Sequence, residues 1–543
     1  MSQPLSPASR SLPHYLPLFF VGGFLLSSAI DLLFWNKPFG LSYALWVALV
    51  LVVSLLLSLR EGKALPLSTF ALMLGVLLTA AAAVWRMEPG TRAYNVLASL
   101  GLLSLTCDTL LTGGALRFRL WDAFLRLFLL VFAAFERPIQ AFIARGERKQ
   151  NRPDTPPWRK QTAPYLRGVL IALPVLAIFS ALLASADPIF EQLLRQFFAW
   201  LRIDDWAEFV FRAFYITLLG FLFSGLLLHA FSSARHHTPN TEKPLVKPFL
   251  GKIEAFTVLA LIETLFLLFL IIQLRYFFGG HANINLEAYT YAEYARKGTN
   301  ELIAVAVLSL FLFQLINTVT RTPEKKDRLV KHILLTVLIA QVLVILLSAY
   351  QRLSLYEGMY GFTHIRVRTY LFILWLSALL LLVVVSEWMG KSQRFFGLLV
   401  LISLGFVLSQ AALNIDQYIV ERNLARLSQD LPEGASRQFD HAYLPTLSHD
   451  SVPAMLAAVN SGQYDTLTTE MLRAELYCRQ QALQDTFGEA NLPWYSKDLP
   501  AWRAYFLLQF SDTPLDPAST VEGDDVRLSN RDIHYCNRYG WID

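Results

Sequence analysis

The stretch FGLLVLISLGFVLSQAAL at residues 396–413, followed by NIDQYIVERNLAR at residues 414–426, separates two kinds of chain. The first part is an uninterrupted apolar run, close to the roughly 20 residues with which an α-helix crosses a bilayer. The second part carries charges of both signs and opens a tail without a comparable run. The pattern predicts membrane spans up to residue 413 and a soluble domain after it.

Ten more apolar runs precede residue 396, and composition agrees with a membrane protein. Hydrophobic residues make up 55% of the chain, charged residues only 16%, and the mean hydropathy is +0.42, values that exclude a single soluble core. We predict an all-α polytopic membrane protein with about eleven transmembrane helices and a small, mainly α-helical, soluble C-terminal domain. The predicted spans are 16–34, 41–59, 67–85, 94–112, 168–186, 207–228, 256–277, 302–319, 329–350, 370–386 and 396–413.

One further apolar run, at residues 120–135, contains Asp122 and Arg126 and is too short for a full crossing. Its apolar side chains form one helical stripe, which favours a helix lying on the membrane surface. They are Trp121, Phe124, Leu125, Phe128 and Leu129. A twelfth span is the alternative.

Charge distribution predicts the orientation, because Lys and Arg accumulate in cytoplasmic loops. With the N-terminus inside, the inner segments hold more than twice as many Lys and Arg as the outer loops. The tail is acidic, with 19 Asp and Glu against 10 Lys and Arg. We therefore predict a cytoplasmic N-terminus, a retained first span and an extracytoplasmic tail. The formal net charge of +5 reflects topology and does not indicate nucleic-acid binding.

Cysteine placement fits an oxidising compartment for the tail. Cys107 lies in a predicted span, whereas Cys478 and Cys536 are both in the tail and are candidates for a disulfide. Two unpaired thiols are the alternative. No spacing typical of a metal site occurs, and we predict neither a metal nor another cofactor.

These patterns divide the chain into four parts: a four-span unit at residues 1–112, a basic cytoplasmic loop with the interfacial helix at 113–167, a seven-span unit at 168–413 and the tail at 414–543. The basic segment RGERKQNRPDTPPWRK is expected to lie near anionic lipid headgroups. Docking of a protein partner is the alternative.

Charged side chains within spans are costly, so each is a candidate site. They are Asp108, Arg212 and Glu263. Glu263 is predicted to lie near the bilayer middle, as a proton or cation carboxylate or as a partner of Arg212. A protonated glutamate hydrogen-bonded between helices is the alternative.

A denser set of polar residues falls in the outer loops and the start of the tail. The candidates for an outer-face binding site are Asp187, Tyr294, Arg296, Arg352, Tyr356, Glu357, Tyr360, Thr363, Arg366, Arg368, Asn414, Asp416 and Arg422. Asp187 precedes Pro188, so helix capping also explains it. The three arginines at 352, 366 and 368 either pair with acids or bind an anionic ligand through bidentate donors.

The outer segments together resemble a known family. The motifs are SADPIF, YAEYARKG, RLxLYExxYGxTxxRxR, NxDxYxxxRN and DxxYLxxLSxDxVPAM, spread over about residues 165–460. They are similar to the bacterial membrane family named domain of unknown function four-one-seven-three, which is close to family four-one-five-three. Phe362 and His364 depart from the commonest form. The resemblance implies many spans in a bacterial inner membrane and brings no activity.

Three functions remain open. A ligand- or partner-binding regulatory membrane protein would use the outer polar groups to hold an anionic lipid, a phosphorylated ligand or a protein partner. An enzyme would act on a lipid-linked or phosphorylated substrate, with Asp187 or Glu357 as general base. A proton- or ion-coupled transporter would use Glu263 and Arg212 with Gln314, Asn317 and Gln341.

Overall fold

The architecture comes from a computed structural model of the full chain. It describes residues 13–118, 120–150, 176, 179–180, 183–200, 206–232, 249–278, 298–321, 324–390, 395–428, 440–488, 493–511, 513–515, 521–522, 525–530 and 533–536.

Long helices account for the apolar part of the chain, because a helix satisfies its own backbone hydrogen bonds where water is absent. They are α1 (Leu16–Phe34), α2 (Ser42–Arg60), α3 (Leu67–Trp85), α4 (Pro89–Thr109), α5 (Leu120–Gln150), α6 (Pro188–Trp200), α7 (Trp206–Ser232), α8 (Lys252–Phe278), α9 (Thr299–Val319), α10 (Lys325–Tyr360), α11 (His364–Trp388) and α12 (Phe395–Leu413). A short 3₁₀ helix, Ala115–Arg117, precedes α5.

Within the described residues, ten helices are long and apolar enough to cross a membrane, which confirms the polytopic all-α class. They are α1, α2, α3, α7, α8, α9, α10, α11, α12 and the part of α5 from Ala123 to Arg145. The predicted span 94–112 falls in α4, whose Arg92, Asn95 and Asp108 make it more polar than the ten. Most of the predicted span 168–186 lies outside the described residues.

Helix α5 was predicted to be interfacial, and it packs against α7 and the start of α1. Arg126 lies beside Asp108 and His229, Ala134 against Gly225, and Phe142 on Phe20. The interfacial position stays a prediction, because residues 123–145 also have the length and composition of a span.

The described helices alternate in direction, so the bundle has two distinct ends. The tail contacts the end at which α3 and α10 stop and α4 and α11 start, through Arg86 and His364 among others. We call this the tail end. The opposite end holds the α3 start beside the α4 stop, where Ser68 donates to Gly113.

Two buried clusters hold the described spans together. The first joins α1–α4 with α7, and the second joins α8–α12. Helix α7, which the sequence analysis grouped with the later spans, packs along α1 because Gly23 and Gly220 let the two backbones approach closely. Ser224 occupies the space that a side chain at position 23 would need.

The tail is a compact helical domain placed on the tail end of the bundle. It contains α13 (Ile415–Leu427), α14 (Val452–Ser461), α15 (Thr466–Phe487), α16 (Leu499–Gln509) and the 3₁₀ helices His441–Thr446, His449–Ser451 and Trp494–Ser496. Its core includes Leu424, Met455, Leu472 and Leu508, together with Val367 from α11. The tail and the spans therefore share part of one core.

A small antiparallel sheet, which the sequence analysis did not predict, covers α15. Its strands are β1 (Val521–Glu522), β2 (Asp525–Arg527) and β3 (Ile533–Tyr535), in the order β1-β2-β3. Strands of two or three residues are too short to give an alternating apolar pattern. Cys478 and Cys536, the pair singled out from the sequence, form a disulfide that ties this sheet to α15.

Candidate functional site

A belt of buried polar groups lies where the tail meets the spans, and Glu88 forms one part of it. Its carboxylate caps α4 by accepting from the Gly90 and Thr91 backbone N–H groups, at 3.0 and 2.7 Å. It also forms an ion pair with Arg368 of α11. Burial raises the pKa of Glu88, but the Arg368 guanidinium and the Thr91 hydrogen bonds outweigh it and hold the pKa below its usual value. The pair joins α4 to α11.

Asp450 forms the second part of the belt. Its carboxylate accepts from the Met87 backbone N–H at 2.6 Å and lies 3.5 Å from the Arg86 guanidinium. Asn414 donates to the Asp450 carbonyl at 3.2 Å. Burial, together with the nearby charge of Asp416, raises the pKa of Asp450 to about 6. The loop between α3 and α4 is therefore tied to the tail through this side chain.

The third part of the belt is a hydrogen-bonded chain of Asp416, His364 and Tyr443. The fully buried Asp416 carboxylate contacts His364 Nε2 and accepts from the Ser448 backbone N–H at 2.8 Å. On the other side of the ring, His364 Nδ1 lies 2.9 Å from the Tyr443 hydroxyl. Burial raises the pKa of Tyr443. The belt therefore includes predicted candidates, Asn414, Asp416 and Arg368, together with groups that the prediction missed.

Two arginines near the end of α10 have structural partners. Arg366 donates to the Tyr360 and Gly361 carbonyls and stacks on the Tyr356 ring at 4.2 Å. Arg426 donates to the Gly358 and Met359 carbonyls. Gly361 has a φ of +74°, a conformation that favours glycine, so these donors hold a tight turn in place. Arg366 therefore donates to backbone carbonyls, and Arg368 pairs with the Glu88 carboxylate. Binding of an anionic ligand was the alternative that the sequence left open for both.

The remaining candidates for the outer-face site each have their own local contacts or lie outside the described residues. Arg352 lies against Gly298, Asp187 Oδ1 accepts from the Ile189 backbone N–H at 2.8 Å as a helix cap, and Thr363 precedes α11 in an extended conformation. Arg422 is exposed and stacks on the Tyr418 ring at 5.2 Å. Tyr294 and Arg296 lie outside the described residues.

A groove of about 690 Å³ opens between α10, α11 and α13 at the tail end. Its floor is apolar, and its polar groups lie toward the turn after α10. The floor includes Leu343, Leu347 and Leu374, and the polar part includes Glu357, Tyr370 and Tyr418. Leu343 and Glu357 are 14 residues apart on one helix, which corresponds to about 21 Å. The groove is therefore long and narrow, with a single carboxylate near one end.

Three arginines lie near the one carboxylate that lines this groove. The charges of Arg426, Arg366 and Arg422 all act on Glu357, whose carboxylate lies 3.5 Å from the Tyr370 hydroxyl. Three guanidinium groups against one carboxylate favour an anion at this place. A volume in the range of small-molecule sites, an apolar floor and few polar groups are typical of ligand pockets.

The intramembrane candidates form separate clusters. Asp108 contacts Arg126 at 2.8 Å and His229 at 3.1 Å. Arg212 pairs with Asp31 at 2.6 Å and with Glu208 at 3.1 Å. The proposed pairing of Arg212 with Glu263 was wrong, because Asp31 of α1 occupies the guanidinium.

Glu263 lies between α8 and α10, where Gln341 donates to its backbone carbonyl at 3.1 Å. Among the described residues, its buried Oε1 has no hydrogen-bond partner. Glu387, near the end of α11, is buried and contacts Asn317, Lys331 and His332. The described residues contain no group of three or more His, Cys, Asp or Glu that could hold a metal ion.

We expect the stability of the junction to depend on pH through Asp450. Its folded pKa of about 6 lies above the ordinary aspartate value of 3.8, so the stabilising contribution is complete below the unfolded pKa and is lost as pH rises through the folded pKa. The expected loss between pH 5 and pH 8 is roughly 1 to 2 kcal/mol. Thermal unfolding of the purified full chain in detergent at the two pH values measures it.

The matched variant Asp450→Asn keeps a hydrogen-bond acceptor for Met87 but does not titrate. It should remove most of this pH dependence. An equal dependence in both proteins would assign the effect to other groups, such as Asp498, whose pKa burial also raises.

Comparison with known proteins identifies a family and no closer relative. Neither curated proteins nor solved structures gave a match. Residues 73–458 match the family model described as Domain of unknown function (DUF4153), which the sequence analysis had named as the close relative of its first choice. The match covers more than half of the chain and includes the groove and most of the polar belt, and the chain therefore belongs to the family Domain of unknown function (DUF4153).

Proposed function

We propose that this multi-pass membrane protein binds an anionic amphiphile in the groove between α10, α11 and α13. The observation that carries the proposal is a cavity of about 690 Å³ whose apolar floor leads to Glu357, on which the charges of Arg366, Arg422 and Arg426 act. A hydrocarbon chain would lie along Leu343, Leu347 and Leu374. A phosphate group would lie near Arg422 at the mouth.

The position of Arg422 makes it the best candidate for the headgroup contact. Arg426 and Arg366 direct donors at backbone carbonyls. Arg422, in contrast, stacks on Tyr418, a residue that lines the groove. Among the described residues, no carboxylate lies within ion-pair distance of Arg422. Its side chain is exposed, so it can turn toward a bound phosphate at small cost.

The proposed ligand class has two sources with the same chemistry, a glycerophospholipid of the bilayer or a lipid-linked phosphate. We expect native mass spectrometry of the full chain in detergent to show several-fold more retention of phosphatidylglycerol than of zwitterionic phosphatidylcholine. Farnesyl phosphate serves as the second probe. Stronger retention of farnesyl phosphate than of phosphatidylglycerol would favour a lipid-linked phosphate.

Two variants test the groove directly. Leu374→Trp fills it from a side chain that is 62% exposed, and Leu381→Trp is the control, 53% exposed and two turns further along the same helix. We expect Leu374→Trp to lose retention of all three lipids and the control to keep it. Arg422→Gln should lose the preference for anionic headgroups only. Equal retention in Leu374→Trp and Leu381→Trp would contradict the proposal.

A second candidate function is an enzyme acting on the same ligand class. The observation that favours it is the Glu357 carboxylate, which lines the groove beside the Tyr370 hydroxyl and could serve as a general base. Incubation with the bound lipid should then change its mass in the wild-type protein and leave it unchanged in Glu357→Gln. An unchanged lipid mass in both proteins leaves binding as the function.

We further propose that the tail end faces the extracytoplasmic side of a bacterial inner membrane. The charge bias of the loops and the disulfide of the tail support this orientation. Labelling of a cysteine introduced at the exposed Gln481 by a membrane-impermeant maleimide, in intact spheroplasts, tests it. Labelling only after lysis would show that the tail end faces the cytoplasm.

A further inference from the structure

An exposed row of aromatic rings lies along α16 in the tail. Trp502, Phe506 and Phe510 occupy positions i, i+4 and i+8 and are 39%, 40% and 73% exposed. The rings touch one another, with centroid distances of 4.8 Å between Trp502 and Phe506 and 5.8 Å between Phe506 and Phe510. We call these three residues the aromatic ridge. Three adjoining aromatic rings exposed on a surface are typical of an interaction site.

The other face of α16 is already used. Ala501, Ala504 and Leu508 are buried in the core of the tail. Two opposite faces of α16 therefore carry apolar side chains, one buried and one exposed. The core fixes one face and leaves the aromatic ridge pointing away from the domain.

The start of α16 is hydrogen-bonded to the bundle beside the loop that connects α1 to α2. The Lys497 carbonyl accepts from the Leu41 backbone N–H at 3.4 Å, and Asp498 pairs with Arg92 at 2.7 Å. Leu499, the first residue of α16, packs against the buried cluster of the first spans. The helix therefore begins where α1 ends and α2 and α4 begin, at the tail end of the bundle.

The residues near the start of α16 are of the types found at a membrane–water interface. Trp85, at the tail end of α3, is 59% exposed. Trp494 is 65% exposed and directly precedes Tyr495, whose hydroxyl accepts from Lys37 at 2.9 Å. Lys497 lies over the Trp502 ring at 5.6 Å. Trp, Tyr and Lys concentrate where one part of a side chain contacts acyl chains and another part contacts headgroups.

We infer that the aromatic ridge inserts into the headgroup boundary of the bilayer, so that the tail rests on the membrane as well as on the bundle. The partner is the lipid surface itself. The fastening of Leu41, Arg92 and Leu499 places the ridge beside the lipid-facing spans, and a helix with exposed Trp and Phe beside cationic side chains matches interfacial helices in general. The contact is independent of the groove and of any ligand in it.

Nitroxide accessibility tests this contact in the full chain reconstituted in vesicles of phosphatidylethanolamine and phosphatidylglycerol. The background carries Cys107→Ala and keeps the tail disulfide. Spin labels are attached at Phe506→Cys, at Phe510→Cys and, as a control, at Gln481→Cys, an exposed position on α15. All three positions are exposed, so the labels should not disturb the core.

We expect oxygen to reach the labels at 506 and 510 while a water-soluble nickel chelate does not, giving an oxygen-to-nickel ratio several-fold above that at 481. Two results would overturn the inference. Ratios at 506 and 510 equal to the control would place the ridge in water. Protection of both labels from both reagents would place a protein surface over the ridge.

Discussion

Replacing Arg479 with alanine is expected to unfold the tail while the spans stay folded. Arg479 is the largest side chain in the described residues that is almost completely buried, at 1% exposure. It pairs with Glu475 at 2.6 Å and donates to the carbonyls of Leu444, Leu447 and Ser448. Truncation removes the guanidinium from the buried Glu475 carboxylate and takes one donor from each of three carbonyls.

The expected loss in the free energy of unfolding is about 3 to 5 kcal/mol, the range for breaking a buried ion pair by removing one partner. Glu475 would keep its contact with His534 Nε2, at 2.8 Å, but would lose the guanidinium. Limited proteolysis with mass mapping measures the effect, since cleavage should appear in residues 440–511 and spare the spans. Arg503→Ala, which removes an exposed arginine from α16, is the control and should change little.

A double variant separates the charge from the packing. Arg479→Met with Glu475→Met removes both members of the pair and keeps much of the volume, so it should be less destabilising than Arg479→Ala. If Arg479→Ala is no more sensitive to protease than Arg503→Ala, the buried pair does not hold the tail together.

The second large effect is expected at the pair between Glu88 and Arg368. The Arg368→Met variant leaves the Glu88 carboxylate, whose side chain is 6% exposed, without its guanidinium. We expect a loss of about 3 to 5 kcal/mol in stability, seen as a lower unfolding temperature of the purified protein. The loss should grow as pH rises, because an unpaired buried carboxylate is destabilising in its charged form.

The double-mutant cycle with Glu88→Gln measures the pair itself. Gln keeps one acceptor oxygen, which can accept from the Thr91 N–H group, so part of the cap is kept, and the coupling energy should be of order 1 to 3 kcal/mol. Arg422→Met, which removes an exposed arginine of α13, is the control. Additive effects of Arg368→Met and Glu88→Gln would show that the two residues contribute separately.

The class of the protein was readable from sequence because bilayer thickness requires runs of about 20 apolar residues, a signal that needs no tertiary information. The paired cysteines and the cap at Asp187 were also readable, because each depends on residue type and local position. The three-stranded sheet was missed, since its strands are too short for a periodic signal. Asn414, Asp416 and Arg368 were candidates from the sequence, but the sequence did not predict their partners.

Glu88, His364 and Tyr443 were not among the predicted site residues, although Glu88 precedes Pro89 as a capping residue would. Their importance arises from partners far along the chain, 280 residues away for Glu88 and 79 for the two others. The same reason explains the error at Arg212, which binds Asp31, 181 residues away.

The sequence by itself determined that the chain is a polytopic membrane protein with an acidic helical tail, because hydropathy and charge act locally along the chain. Only the tertiary structure decided which arginines have backbone and carboxylate partners, and that an apolar groove lined by Glu357 forms between α10, α11 and α13. Both depend on distances between helices, and spacing along one chain does not encode them.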